Sequence, residues 1–469
     1  MKLATALFVA AALHPANAAA PISQRCARIL AQSPIAKTGF VGMLVEDGGG
    51  RRLFAVNADR AFVPASNTKL FSTAFALERL GPDHRFETRV EQRGDDLVLV
   101  GTGDANLSGR VMPYVVNSEP GPALTVIDEL AVQVADHGIH EVAGDVIGDD
   151  TAFVYEPYGK GWTAEDVVTG DGAPVSALMV HDNTISVRIT PTVDGTPATV
   201  AFDPPTLPFE VNAKVTTGTA SEVHQRRLPY TNHWDLWGTI KAGDPPFNEK
   251  LGVDDPALFA AQALKYSLEQ HGVAVRGSIR AIHRENDSDA PQQAGQTVAT
   301  HESLPLIEDL RVTNKTSQNA HADLLLSDVA GSRRSGLQQL GAFLGGIGIH
   351  ADQYCFYDGS GISRLNLVTP AAVITLLTYM AHSAHAADWI STLPVSGVDG
   401  SLSDRMTRPR VKGRIMAKTG TLMHTSALSG YAQTRSGRRL TFCIFVNNAF
   451  ADAEARHELI DKLCAVLVD

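Results

Sequence analysis

The chain has 469 residues, 44% of them hydrophobic and 19% charged, with a formal net charge of −11. This composition leaves no room for a long disordered arm. The negative balance argues against nucleic acid as a partner and against strong attraction to anionic membranes. The length exceeds what one core can serve, so two or three domains are expected.

Residues 1–18 read as a signal peptide. Lys2 precedes an apolar run from Leu3 to Leu13, and Ala16-Asn17-Ala18 supplies the small-x-small pattern, with cleavage expected after Ala18. The run is too short to span a bilayer, and no later stretch is long and apolar enough to do so. The expected mature protein is therefore exported, periplasmic or extracytoplasmic, and soluble or peripherally associated, with no transmembrane anchor. Cys26, Cys355, Cys443 and Cys464 lack the close spacing of a zinc or redox pair. Cys26 and Cys464 lie on apolar stripes of terminal helices, Ile22-Cys26-Ile29 and Ile460-Leu463-Cys464-Leu467. They are expected to lie near each other, either bridged or as buried thiols.

After a short N-terminal helix, Gly39 to Glu46 and Leu53 to Val56 read as strands joined by the glycine-rich turn Asp47 to Arg51. The run Leu70, Phe71, Ala74, Leu77, Leu80 has helical spacing and stops at Gly81-Pro82. Ser66 sits at or just before its first turn. Lys69 is three residues on, so the two side chains share a face. A lysine held neutral one turn from a serine can take the hydroxyl proton. By itself the pair reads better as an N-cap and a solvated charge.

Residues 84–303 are dominated by strand-like pieces: Asp96 to Gly101, Glu141 to Gly148, Thr184 to Thr190, Thr199 to Phe202, Val211 to Thr216 and Gly277 to Ile282. Two helices are expected, Ala123 to His137 and Pro256 to His271, and Asp289 to Thr300 reads as a linker. Beyond it, Ser303 can cap a helix with Pro305 near its start, and Arg311 to Thr316 interrupts the apolar pattern. Ser317-Gln318-Asn319 then leads into a helix from Ala320 to Ala330. Asp358-Gly359-Ser360-Gly361 is a turn, Pro370 to Ala381 a helix, and Leu393 to Leu402 a glycine-bearing loop. Val411 to Thr421 ends in Lys418-Thr419-Gly420-Thr421. Ser426 to Ala432 and Leu440 to Asn447 are strands, and Asp452 to Leu467 is a terminal helix. The histidines, His181 and His224 among them, have no ligand spacing and read as surface or core residues.

Taken singly, Ser66-x-x-Lys69, Ser317-x-Asn319 and Lys418-Thr419-Gly420 are weak signals. Their order along the chain is that of the penicillin-recognising serine acyltransferases. Together with Phe62-Val63-Pro64-Ala65, Asn314-Lys315-Thr316, Asp358-Gly359-Ser360-Gly361-Ile362-Ser363 and Leu393-Pro394-Val395-Ser396-Gly397-Val398-Asp399-Gly400, they make the chain resemble the low-molecular-mass class C penicillin-binding proteins, the D-alanyl-D-alanine carboxypeptidase and endopeptidase family. The resemblance implies an α/β (α+β) transpeptidase and β-lactamase-like domain. Its antiparallel five-stranded sheet would be built from residues 21–83 and 304–469, flanked by helices and interrupted by a mostly β insert at 84–303. It also implies Ser66 as nucleophile, Lys69 as base and Ser317 as a bridge between the two lysines. Asn319, Lys418, Thr419, Gly420 and Thr421 would bind substrate, the N–H groups of Ser66 and Thr421 forming the oxyanion hole. Peptidoglycan peptides are the implied partners and β-lactams the implied inhibitors. No cofactor and no metal is called for, and a homo-oligomer is left open. Asp323 departs from that family, which usually has glutamate there, and is expected to be structural. A class A β-lactamase, a Ser-Lys esterase and a non-catalytic wall-binding protein are the rival readings. The long separation of the first two motifs, the Lys-Thr-Gly strand and the complete residue set argue against them in turn.

Overall fold

The computed structural model describes residues 20–205, 209–229, 231, 233–286, 288–289 and 292–469. The expected signal peptide lies outside the described residues, as do two positions of the expected linker, 290 and 291.

One antiparallel sheet has the order Ile415–Leu422, Thr425–Gln433, Arg439–Asn447, Phe40–Asp47, Arg52–Val56. The two ends of the chain thus meet in a single sheet, as expected. Alternation along its central strands sorts side chains onto two layers. Cys443 and Phe445 face a helical layer holding Phe62, Phe71, Leu325, Leu377 and Trp389. Phe442, Ile444 and Val446 face the terminal helices Ile22–Gln32 and Ala453–Leu467. Cys26 and Cys464 are both buried in that second layer, close enough for one thiol to influence the other, yet all four cysteines are free. Burial pushes the Cys26 thiol up to about 11, so it behaves as an inert apolar group.

The insert's strands pair only with one another among the described residues. Its larger sheet runs Ile279–Arg284, Val146–Val154, Asp96–Val100, Glu87–Arg93, Gln296–Glu302, with the helices Thr125–Asp136 and Pro256–Gln270 sharing its core. Two three-stranded sheets pack around Trp234, Val187 and Leu236 as a smaller body. The expected linker is therefore partly a strand, because Gln296–Glu302 pairs with Glu87–Arg93 and buries Val298 and Ala299. The partner strand was unreadable in sequence because Glu91 is fully buried within it. Its carboxylate accepts from Arg89 at 2.6 Å, Arg93 at 2.9 Å and the Gly295 N–H at 2.9 Å. The Glu141 to Gly148 run divides into Glu141–Val142 and Val146–Val154.

Two further expectations change in the helical layer. Pro305, not Ser303, stands at the N-cap, and the helix Leu306–Lys315 runs through the supposed break. Lys315 is tolerated there because its ammonium meets Asp399 at 2.7 Å and the Leu393 carbonyl at 2.9 Å. The helix Arg333–Gly346 was not foreseen. It is anchored by Arg333, which meets the fully buried Asp323 at 2.6 Å and donates to the insert's Tyr158 carbonyl at 3.0 Å. Asp323 also accepts from the Gly359 N–H at 2.8 Å, consistent with a structural part.

Removing one partner of a buried pair leaves an uncompensated charge, which costs about 3–5 kcal/mol. Arg333→Leu should lower the urea midpoint accordingly, and adding Asp323→Asn should recover part of the loss. An unchanged midpoint for the single variant would refute this anchor.

Candidate active site

Ser66 lies in the 3-10 turn Ala65–Thr68 that feeds directly into the helix Lys69–Leu80, which ends at Gly81 with φ +81°. Ala65 holds φ +49°, a left-handed conformation rare for a residue with a Cβ. Two glycines let neighbouring backbone press against this turn. A Cβ on Gly420 would sit 2.8 Å from the Pro64 carbonyl oxygen and 3.1 Å from the Ser66 nitrogen. A Cβ on Gly361, itself at φ +90°, would collide with the Ala65 carbonyl.

Lys69 is fully buried. Its Nζ lies 2.9 Å from Ser66 Oγ, 2.5 Å from Asn319 Oδ1 and 2.7 Å from the Ser360 carbonyl oxygen. All three partners are uncharged. Burial pulls Lys69 down to about 7, against the opposing pull of the Asp358, Asp171 and Asp323 carboxylates. Lys418, also fully buried, donates to Ser317 Oγ at 2.9 Å and to the Thr419 carbonyl at 3.1 Å. Burial, and then the Lys69 charge, push Lys418 well below the usual lysine range. Two ammoniums cannot share this space cheaply.

The three motifs converge on one groove, with one correction. Ser317 meets Lys418 and does not bridge to Lys69, whose remaining position is taken by Asn319. Asn319 is also occupied on its other side, its Nδ2 donating to the Asp171 carbonyl at 2.9 Å. Thr419 Oγ1 lies 2.7 Å from Ser401 Oγ, and Thr421 Oγ1 lies 3.1 Å from His457 Nε2 on the terminal helix.

Residues outside the motifs hold the groove in shape. Asp358 gathers five donors: Trp162 Nε1 at 2.7 Å, Ser360 Oγ at 3.0 Å, the Gly361 and Ser363 N–H groups at 2.9 Å and Asn366 Nδ2 at 2.6 Å. This fixes the Ser360 carbonyl on which Lys69 rests. Asn67 Nδ2 donates to the Lys418 carbonyl at 2.9 Å and ties the serine turn to the edge strand. Ser317 has φ +64°, and its neighbour Gln318 donates to Asp182 at 2.7 Å. Asp182 in turn accepts from Arg110 at 2.8 Å and meets the fully buried His321, which reaches Asp309 at 2.7 Å on its other nitrogen. His321 is thus a core residue that helps hold the Ser317 loop. Its i+4 distance from Ser317 was a readable hint; the part played by Asp182 was not, since it comes from the insert.

Comparison with known proteins places the chain in a family. The sequence model of the D-Ala-D-Ala carboxypeptidase 3 (S13) family matches residues 22–467. A D-alanyl-D-alanine carboxypeptidase from an Actinomadura strain is 33% identical over 446 residues, covering 89% of this chain and 79% of that one. The D-alanyl-D-alanine carboxypeptidase DacB of Haemophilus influenzae is 26% identical over 423 residues, covering 87% and 85%. The crystal structure of penicillin-binding protein 4 from the same organism superposes with a TM-score of 0.78 at 23% identity, over 94% of this chain and 97% of that one, and supports the fold. A second structure of that protein, with a β-lactam bound, gives 0.73. With the matched span covering nearly the whole chain, the protein belongs to the D-Ala-D-Ala carboxypeptidase 3 (S13) family of serine hydrolases.

Proposed function

We propose that Ser66 attacks the carbonyl joining two D-alanines of a peptidoglycan stem peptide or cross-link, and that penicillins acylate the same hydroxyl. The observation that carries this is the 2.9 Å approach of Ser66 Oγ to a buried Lys69 whose pKa lies at about 7. A neutral Lys69 accepts the Ser66 proton as the Oγ–C bond forms. Ser317 passes its proton to the departing amine and takes one from Lys418, which donates to it at 2.9 Å. The amide C–N bond breaks, and water later hydrolyses the ester, its proton going to Lys418 while Lys69 returns to Ser66 Oγ the proton it took. The N–H groups of Ser66 and Thr421 stabilise the oxyanion, a role supported by how closely Gly420 lets the edge strand approach.

The free groove disfavours two positive lysines, and an incoming carboxylate changes that balance. Opposite charge within about 4–6 Å favours the charged form, so substrate binding restores the Lys418 proton while Lys69 stays neutral. Thr419 and Thr421 supply hydroxyl donors to that carboxylate, and Asn319 keeps a second amide hydrogen and lone pair for the peptide. The same reading divides the chain into one catalytic domain, residues 21–83 with 304–469, and an insert, residues 84–303. The partition of strand pairing supports this division. Residues 1–18 direct export to the periplasm and are then removed. No helix among the described residues is long and apolar enough to cross a membrane.

Peptide mapping after reaction with a fluorescent penicillin should return Ser66 as the labelled residue; label elsewhere, or none, would reject the reading. The second-order acylation rate should rise with pH through about 7 and level off above it, because raising pH removes the Lys69 proton and frees the base. A rate that is flat or falls from about pH 5.5 to 8.5 would refute Lys69 as base. Gly361→Ala should slow acylation by about 100-fold while circular dichroism is unchanged, because the added Cβ displaces the Ala65–Ser66 peptide. A Gly361→Ala protein acylated at the parental rate would show that the turn has slack.

A further inference from the structure

A cavity of about 490 Å³ lies between the insert and the helical layer, beyond the end of the groove where Lys418, Ser317 and Thr419 meet. Both walls of that end run into it. Thr316, which precedes Ser317, lines one side; Ser401, bonded to Thr419, lines the other. A second cavity of about 420 Å³ includes Ser317 and shares Thr316, Arg110, Asp182 and Lys250 with the first, so the space is continuous with the groove. Pockets of about 300–1,000 Å³ enclose drug-sized ligands, and a single departing alanine fills only a small part of such a space.

The lining has its own pattern. Lys315 is neutralised by Asp399 and Arg110 by Asp182. Lys250 is exposed at the cavity, and its ammonium has no hydrogen bond or ion pair among the described residues. In the neighbouring cavity the Glu249 carboxylate accepts the Lys250 backbone N–H. The opposite rim is an irregular loop of the insert. Its Tyr114 ring lies 5.9 Å from the Lys315 ammonium, and Val111, Val115 and Val116 are left exposed. Among the described residues Lys250 is thus a cation of this cavity with no bonded counter-ion, acted on through space by the Asp182 carboxylate, and it faces an apolar, aromatic rim beside the end of the groove at Ser317.

We propose that this cavity is a subsite for the leaving peptide of a cross-link, with Lys250 pairing a carboxylate of that peptide and the Tyr114 loop covering its chain. The proposal rests on the Ser66 acyl-enzyme reading. In cross-link cleavage the C–N bond that breaks joins D-alanine to the side-chain amine of a diamino acid in the neighbouring stem. The proton passed on by Ser317 ends on that amine, and the amine departs still attached to a carboxylate-bearing peptide. In carboxypeptidase action the leaving group is D-alanine alone, which ends at the Lys418 carboxylate site and never reaches Lys250.

The test compares three reactions of the mature chain: cleavage of a purified cross-linked disaccharide-peptide dimer, D-alanine release from an uncross-linked pentapeptide monomer, and acylation by penicillin. Lys250→Glu and Tyr114→Ala should each lower kcat/KM for the dimer about tenfold, mainly through KM, and leave the other two reactions within about twofold. Retained acylation also certifies that each variant is folded. Equal losses in all three reactions, undiminished dimer cleavage in both variants, or a parent protein that releases D-alanine but does not cleave the dimer would each overturn the subsite. A parent protein that penicillin does not acylate at Ser66 would instead overturn the acyl-enzyme reading itself.

Discussion

Two lysines buried side by side, with no carboxylate among the described residues bonded to either ammonium, are the constraint on which this structure turns. An ammonium taken out of water is stable only when paired, or when it gives up its proton. Lys69 rests on three neutral oxygens, from Ser66, Asn319 and Ser360, and each must be held still. Much of the surrounding architecture does this. The helix start fixes Ser66, the Asp358 cluster fixes the Ser360 carbonyl, and the Asp171 carbonyl fixes Asn319 from behind. Asp358, Asp171 and Asp323 are near enough to moderate the shift without quenching it, leaving Lys69 at about 7 and not lower.

The insert is a working part of the groove. It supplies the Trp162 donor to Asp358, the Asp171 carbonyl to Asn319 and the Asp182 carboxylate to Gln318. Ala105, Val175 and Met179 pack on Ala320 and Leu324 of the helix that carries Asn319, so the insert and the second motif are fixed by one apolar contact. Residues between the first two motifs thus help to position the second. The same arrangement encloses space beyond the end of the groove where Lys418 and Ser317 meet.

Much of the fold was legible where apolar residues dominate an element. The helices at Lys69–Leu80, Pro256–Gln270, Pro370–His382 and Ala453–Leu467 are rich in apolar residues at helical spacing, and the strands at Thr425–Gln433 and Arg439–Asn447 are almost wholly buried. Misreadings fell where charged residues are buried. Lys315 inside a helix and Arg333 at a helix start look like surface residues until Asp399 and Asp323 meet them, and Glu91 is buried inside a strand between Arg89 and Arg93 of the same strand, a run that reads as surface charge.

Sequence by itself brought out the candidate reacting groups. Ser66 with Lys69, Ser317 with Asn319, and Lys418 with Thr419 and Gly420 are local patterns that are weak singly and gain meaning from their order along the chain. That both ends of the chain build one sheet followed from the family resemblance of the motif set, and the strand pairing bears it out. Tertiary structure alone decided which lysine meets which oxygen, and so separated Ser317 on Lys418 from Asn319 on Lys69. It alone decided that Asp182 and Trp162 belong to the site, and that two neighbouring cysteines remain unbridged. The reason is physical: spacing along a helix or strand fixes neighbours within a turn or a pleat, whereas partners from distant parts of the chain are chosen only when the whole set of buried polar groups must be satisfied together.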